Sequence, residues 1–261
     1  MWISDLPKED SIKCGDLFIP SRAINSFIKN CVRPVLCEIP DAPDELRGFL
    51  SSGGSASLVK INGECFVCIT RHQVSKYLEF KKALDGIRVV SFTSDEVIDN
   101  ITFTQAIFVD NQPDEEISDV LFLRTNIEDK SHKKNAPYYL PLRELNGDDV
   151  NSHFIFVGYP INDDAFEFDE NGVVCKYNSV GIIKDCYVDK DFKSKAKHFN
   201  RYTFAPYNFE EIISENGLSG GSVFGVKRAS TGFELFHSGV IVRAGSDCVY
   251  TVSTNHMISV N

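Results

Sequence analysis

Short β-forming runs cut by turn residues recur along most of this chain, and that spacing narrows its fold more than any other feature. After residue 53 come "SASLVKI", "ECFVCIT", "IRVVSFT", "TQAIFVD" and "SDVLFLRT", with Gly, Asp and Asn between them. Runs this short and close fit an antiparallel barrel or sandwich and do not fit alternating βαβ units. Residues 126–138, "NIEDKSHKKNAPY", form a polar break. A second series follows it: "HFIFVGYP", "GVVCKYNSVGIIKDCYV", "RYTFAPY", "GSVFGVK", "FELFHSGVIVRAG" and "CVYTVST". The chain is therefore mostly β in two halves, 46–130 and 131–261. Before them, residues 1–45 read as an extension, with a short helix over 22–33 from apolar Ala23, Phe27, Ile28 and Cys31. Pro34, Pro40 and Pro43 close that extension off.

At 261 residues, 43% hydrophobic and 25% charged, the chain can bury a substantial core as a soluble globular protein. A formal charge of −10 argues against a phosphate-backbone binder, so nucleic acid is not expected as a partner. The basic runs Lys130–Lys134 and Lys190–Arg201 are interrupted and read as solvated loops. Gly53–Gly54 lacks the Gly-Lys-Ser/Thr of a phosphate loop. No basic segment leads into an apolar core at the N-terminus, and no run approaches ~18 apolar residues. A cytoplasmic chain with no membrane partner and mostly reduced cysteines is the expectation. Cys65 and Cys68 have C-x-x-C spacing but sit in a strand, where residues three apart face opposite sides. They read as packing thiols, and neither metal nor cofactor is expected.

The stretch "NGLSGGSVFGV", 216–226, sets one serine among glycines ahead of an apolar strand. That is either a turn or a nucleophile whose neighbours must leave the backbone bare for substrate. A nucleophilic serine needs a base, most often a histidine oriented by a buried carboxylate. Of six histidines, His132 and His198 lie in basic loops, His256 in the tail, and His153 and His237 at or in strands. His72 ends the apolar run in "ITRHQV", where a strand exits into a turn. Asp119 directly precedes the strand "VLFLRT", whereas Asp110 and Asp114 lie in polar loop.

His72, Asp119 and Ser219, in that order within "FVCITRHQV", "SDVLFLR" and "GLSGGSVF", resemble the trypsin/chymotrypsin-like serine proteases, in their bacterial-type, intracellular form. "GSASLVKINGECFV", "FIFVGYP", "SGVIVRAG" and "CVYTVST" extend the resemblance over about residues 53–255. It implies two antiparallel Greek-key β-barrels, with His72 and Asp119 in the first and Ser219 in the second. It implies Ser219 as nucleophile, His72 as general base and then acid, and Asp119 as orienter. The Gly217 and Ser219 backbone N–H groups would form an oxyanion hole, and a polypeptide would be the substrate.

The departures carry information too. Leu218 replaces an aspartate that pairs with a freshly cut N-terminus, so activation by that ion pair is not expected. Ser222 stands where many members have proline. Val242 stands where many use a serine to bond the triad aspartate, so Asp119 must find another donor or remain more exposed. Arg71 and Gln73 flank the histidine without the usual neighbouring disulfide. By the same resemblance Ile213 would floor the specificity pocket, with Ala244 and Cys248 on its walls, favouring a small or medium apolar residue. Residues 242–244, Val242, Arg243 and Ala244, would pair with the substrate backbone. An α/β-hydrolase elbow is disfavoured, because "GGSVFGV" continues as strand and His237 and Asp247 are in the wrong order. The alternative is a catalytically silent or partner-activated module that binds peptides or a regulatory protein.

Overall fold

The computed structural model describes residues 10–38, 50–75, 87–93, 98–108, 118–125, 137–160, 166–168, 174–177, 181–194, 198–205, 216–230 and 232–259. Two short strands come first among the described residues, β1 (Ser11–Cys14) and β2 (Leu17–Pro20), followed by a 3-10 turn and α1 (Ile24–Asn30). The first half then runs β3 (Val32–Glu38), β4 (Leu50–Ile61), β5 (Glu64–Thr70), α2 (Arg71–Ser75), β6 (Ile87–Thr93), β7 (Ile98–Ile101), β8 (Phe103–Phe108) and β9 (Val120–Thr125). The second comprises β10 (Leu140–Pro141), β11 (His153–Gly158), β12 (Phe166–Phe168), β13 (Val174–Tyr177), β14 (Ile182–Val188), β15 (Phe199–Phe204), β16 (Ser222–Ala229), β17 (Gly232–Ala244), β18 (Cys248–Ser253) and α3 (Thr254–Ser259).

The fold is the mostly-β, two-barrel arrangement expected from the strand spacing. In the second half β16-β11-β14-β15-β18-β17 pair in sequence, and β16 also pairs β17, which closes a six-stranded barrel. In the first half the order is β7-β6-β3-β4-β5-β9-β8, a curled half-barrel with no closing pair among the described residues. Each half has its own core: Val35, Leu58, Val67, Ile69 and Leu121 in the first, and Phe156, Phe204, Leu218, Val223 and Ile241 in the second. A third cluster lies between them, joining Phe66, Cys68, Val120 and Phe122 to Phe199, Val240, Val242 and Met257. Among the described residues no helix is long and apolar enough to cross a membrane.

The described part of residues 1–45 is not an appendage. β3 lies between β4 and β6 in the first sheet, and β1 adds in parallel to β17 of the second. Ile12, Ile24 and Ile28 pack with Ile155, Phe224 and Leu235 of the closed barrel. Pro34 sits inside β3 and does not end a segment. Pairing with β6 begins at Val35, so at Pro34 only one edge faces a partner and the missing N–H is tolerated. Pro40, Pro43 and most of the polar break, residues 126–136, lie outside the described residues.

Candidate active site

His72 is placed by a change of secondary structure. β5 is buried from Cys65 to Thr70 and gives way directly to α2, which carries His72 in its first turn. Thr70 and Gln73 have the T-x-x-Q spacing of a capping box. Gln73 Oε1 accepts from the Thr70 backbone N–H at 2.7 Å and from Thr70 Oγ1 at 2.9 Å.

Asp119 comes from the turn before β9, which pairs antiparallel with β5 so that Val120 faces Thr70. That pairing brings the carboxylate to the imidazole. His72 Nδ1 and Asp119 Oδ2 are 2.6 Å apart, and the His72 backbone N–H donates to Asp119 Oδ1 at 3.1 Å. The Arg71 N–H donates to the Asp119 backbone carbonyl at 2.6 Å. Both carboxylate oxygens are thus engaged by His72 itself, which supplies the second donor that Val242 lacks. The carboxylate is 17% exposed and the imidazole 41%, so one face of the ring stays open to solvent. An Nδ1–H bonded to the carboxylate leaves Nε2 as a base; its neighbour is Thr70 Oγ1 at 3.4 Å.

Ser219 lies in the turn that enters β16. Its backbone carbonyl accepts from the Ser55 N–H at 3.2 Å and from Gln73 Nε2 at 3.1 Å, which brings the turn to the residue next to His72. Gly220 has φ +83°, and a Cβ there would run into the Ser55 carbonyl oxygen, so glycine is required twice over. Ser55 Oγ donates to the Gly217 carbonyl at 2.7 Å, and Ser57 Oγ donates to that of Gly220 at 2.7 Å. Gly217 is also left-handed, at φ 92°. The N–H groups of Gly217 and Ser219 donate to no backbone carbonyl among the described residues.

Ser219 and His72 are not hydrogen-bonded to each other here. Ser219 Oγ instead donates to the Val242 carbonyl at 3.4 Å, at a bulge in β17 between Ile241 and Arg243. The Val242 side chain is buried in the cluster between the halves. Leu218 is fully buried in the second core, packed with apolar residues such as Phe156 and Val223. Arg243 lies over the Tyr250 ring at 4.2 Å. Ala244 and Cys248 flank the turn between β17 and β18, closed by a 2.8 Å bond from the Gly245 N–H to the Cys248 carbonyl. Ile213 lies outside the described residues. Cys65 and Cys68 are both buried in β5, and the described residues hold no group of three or more His, Cys, Asp or Glu suited to a metal.

Gln73, Ser55 and Ser57 are the site residues that residue typing alone passes over. Two signals could have found them: the T-x-x-Q spacing at Thr70, and Ser55 and Ser57 on alternate positions of β4, which places both on one face.

No family model matches the chain, and no curated protein does. Among solved structures the chain is similar to the protease Anisep from Arthrobacter nicotinovorans, at 13% identity and a TM-score of 0.48, over 86% of this chain and 90% of that one.

Proposed function

We propose that this protein is a trypsin-like serine endopeptidase that cleaves peptide bonds through an acyl-enzyme. The observation that carries the reading is the doubly bonded His72–Asp119 pair, at 2.6 and 3.1 Å, beside a turn presenting Ser219. In this reading His72 Nε2 takes the Ser219 proton as Oγ attacks the scissile carbonyl. Asp119 holds the tautomer and stabilises the imidazolium that forms. The N–H groups of Gly217 and Ser219, which donate to no backbone carbonyl among the described residues, would receive the developing oxyanion. His72 then returns the proton to the leaving amine, and water releases the acyl group by the same steps. Val242, Arg243 and Ala244 would take the substrate backbone as an added strand, with Ile213, Ala244 and Cys248 around its side chain.

A second reading rests on the Ser219–Val242 hydrogen bond, which Ser219 Oγ makes in place of one to His72. A hydroxyl held there describes a silent or partner-activated module, in which a regulatory protein or the substrate releases Ser219 to the imidazole.

Labelling with a fluorophosphonate separates the two. The peptidase reading expects the wild-type chain to label and Ser219→Ala not to. It expects His72→Ala to slow acylation by ~10³-fold or more. A label that survives in Ser219→Ala would rule Ser219 out. Labelling that appears only with an added partner would establish the second reading.

A further inference from the structure

We infer that Gln73 is a positioning residue whose side-chain amide ties the Ser219 turn to the helix carrying His72. Gln73 is 7% exposed and spans three segments. Its Oε1 accepts both Thr70 bonds described above. The two protons of its Nε2 are shared among three carbonyls, those of Gly53 at 3.0 Å, Ser55 at 3.0 Å and Ser219 at 3.1 Å. The amide orientation is determined by these partners. The Thr70 N–H at one end and three carbonyls at the other fix it, since a flipped amide would set N–H against N–H and oxygen against oxygen there; only the Thr70 hydroxyl could serve either way. The surroundings are shaped to the same group: a Cβ on Gly54 would come 3.0 Å from Nε2, and one on Gly220 would come 2.9 Å from Oε1.

The two ends of the amide have separable tasks. Oε1 caps α2, which any capping-box residue can do. Nε2 crosses 146 positions of sequence to the carbonyl of Ser219, joining the two halves at the serine itself. Ser219 and His72 share no hydrogen bond of their own here, so Gln73, beside the histidine, provides a direct side-chain tie between their backbones. A misplacement of ~1 Å between reacting groups can cost ~10²-fold in rate. The catalytic consequence rests on the peptidase reading; the tie itself does not.

Gln73→Glu separates the tasks, because Glu also serves in a capping box but sets an oxygen against three carbonyl oxygens. The amides of Gly220 and Gly221, bonded to Ile241 and Leu218 at 2.7 and 2.9 Å, report on the turn. In Gln73→Glu and Gln73→Met their hydrogen exchange is expected to accelerate at least ~10-fold, with β15 and β18 unchanged. Fluorophosphonate labelling should slow ~10- to 100-fold in its maximal rate, with the half-saturating probe concentration within about threefold. Unchanged exchange in folded Gln73→Glu overturns the tie. Faster exchange with an unchanged labelling rate overturns the positioning role. A wild-type chain that does not label removes the peptidase reading and leaves the exchange comparison to decide the tie. If neither variant folds, the two Nε2 protons of wild-type Gln73 decide it by NMR. Slow exchange with water supports the tie, and exchange as fast as an exposed glutamine overturns it.

Discussion

Behind the Ser219 turn, Ser57, Ser222, His237 and Thr254 form a buried chain of hydroxyls around one imidazole. Ser57 Oγ and Ser222 Oγ are 2.5 Å apart. His237 Nε2 is 3.2 Å from Ser222 Oγ, and its Nδ1 is 2.7 Å from Thr254 Oγ1. A neutral imidazole offers one donor and one acceptor, which suits a hydroxyl on each side. Burial favours that neutral form and pushes His237 down to about 3. The unfolded chain therefore binds a proton below about 6.5 that the folded chain refuses down to about 3. Stability is intact above the unfolded value and is lost as pH falls through this window, by ~1.4 kcal/mol for each pH unit. His237→Gln removes the proton uptake, so its urea stability between pH 6 and 4 should fall less steeply than wild type by about that slope. Parallel profiles would show that His237 titrates normally.

At the level of elements, one carboxylate anchors the connection into the closed barrel. Asp149 sits in a 3-10 turn over Gly147–Asn151, capped by Asn146. It receives Arg143 Nη1 and Nη2 at 2.8 and 3.1 Å and Lys227 Nζ at 2.7 Å. Burial pushes its carboxyl up, but the hydrogen bonds from Arg143 and Lys227 outweigh that and hold it well below the usual range. Its contribution is lost only below the usual carboxylate value of 3.8, so it adds little slope between pH 6 and 4, where His237 is tested. Asp149→Asn leaves Arg143 and Lys227 with Glu234, at 3.0 and 3.5 Å, as their remaining carboxylate and should cost ~1.5–3 kcal/mol by urea unfolding at pH 7. A loss below ~0.5 kcal/mol would place the network with exposed ion pairs. No such network was legible in the sequence, since Lys227 lies 78 positions from Asp149. What was legible depended on local pattern. The apolar run "ECFVCIT" announced β5, "VLFLRT" announced β9, and the strand after "GLSGG" announced β16. His72 and Asp119 stood out because each flanks such a run, and the antiparallel β5–β9 pairing then sets them side by side. The parallel β1–β17 contact and the insertion of β3 between β4 and β6 left no local trace, because pairing partners carry no mark on either strand.

For the whole molecule, the question is whether two β-halves behave as two bodies. Three features join them: the cluster between the barrels, the N-terminal segment built into both sheets, and the bonds from Gln73, Ser55 and Ser57 to the Ser219 turn. The proposed catalytic groups come from opposite sides of that seam, so the site exists only while the seam is closed. Phe122 belongs to that cluster, 1% exposed and edge-on to Phe66 at 6.1 Å. Phe122→Ala leaves a cavity there and should cost ~3–5 kcal/mol. If the halves unfold as one unit, β5 in the first and β18 in the second should lose exchange protection by the same factor, although only β5 pairs with Phe122's own strand. Independent halves predict a different outcome, with β5 losing protection and β18 keeping it. Native-state hydrogen exchange of the variant against wild type distinguishes the two. Coincident loss would mean that stability and proposed catalysis share one structural seam.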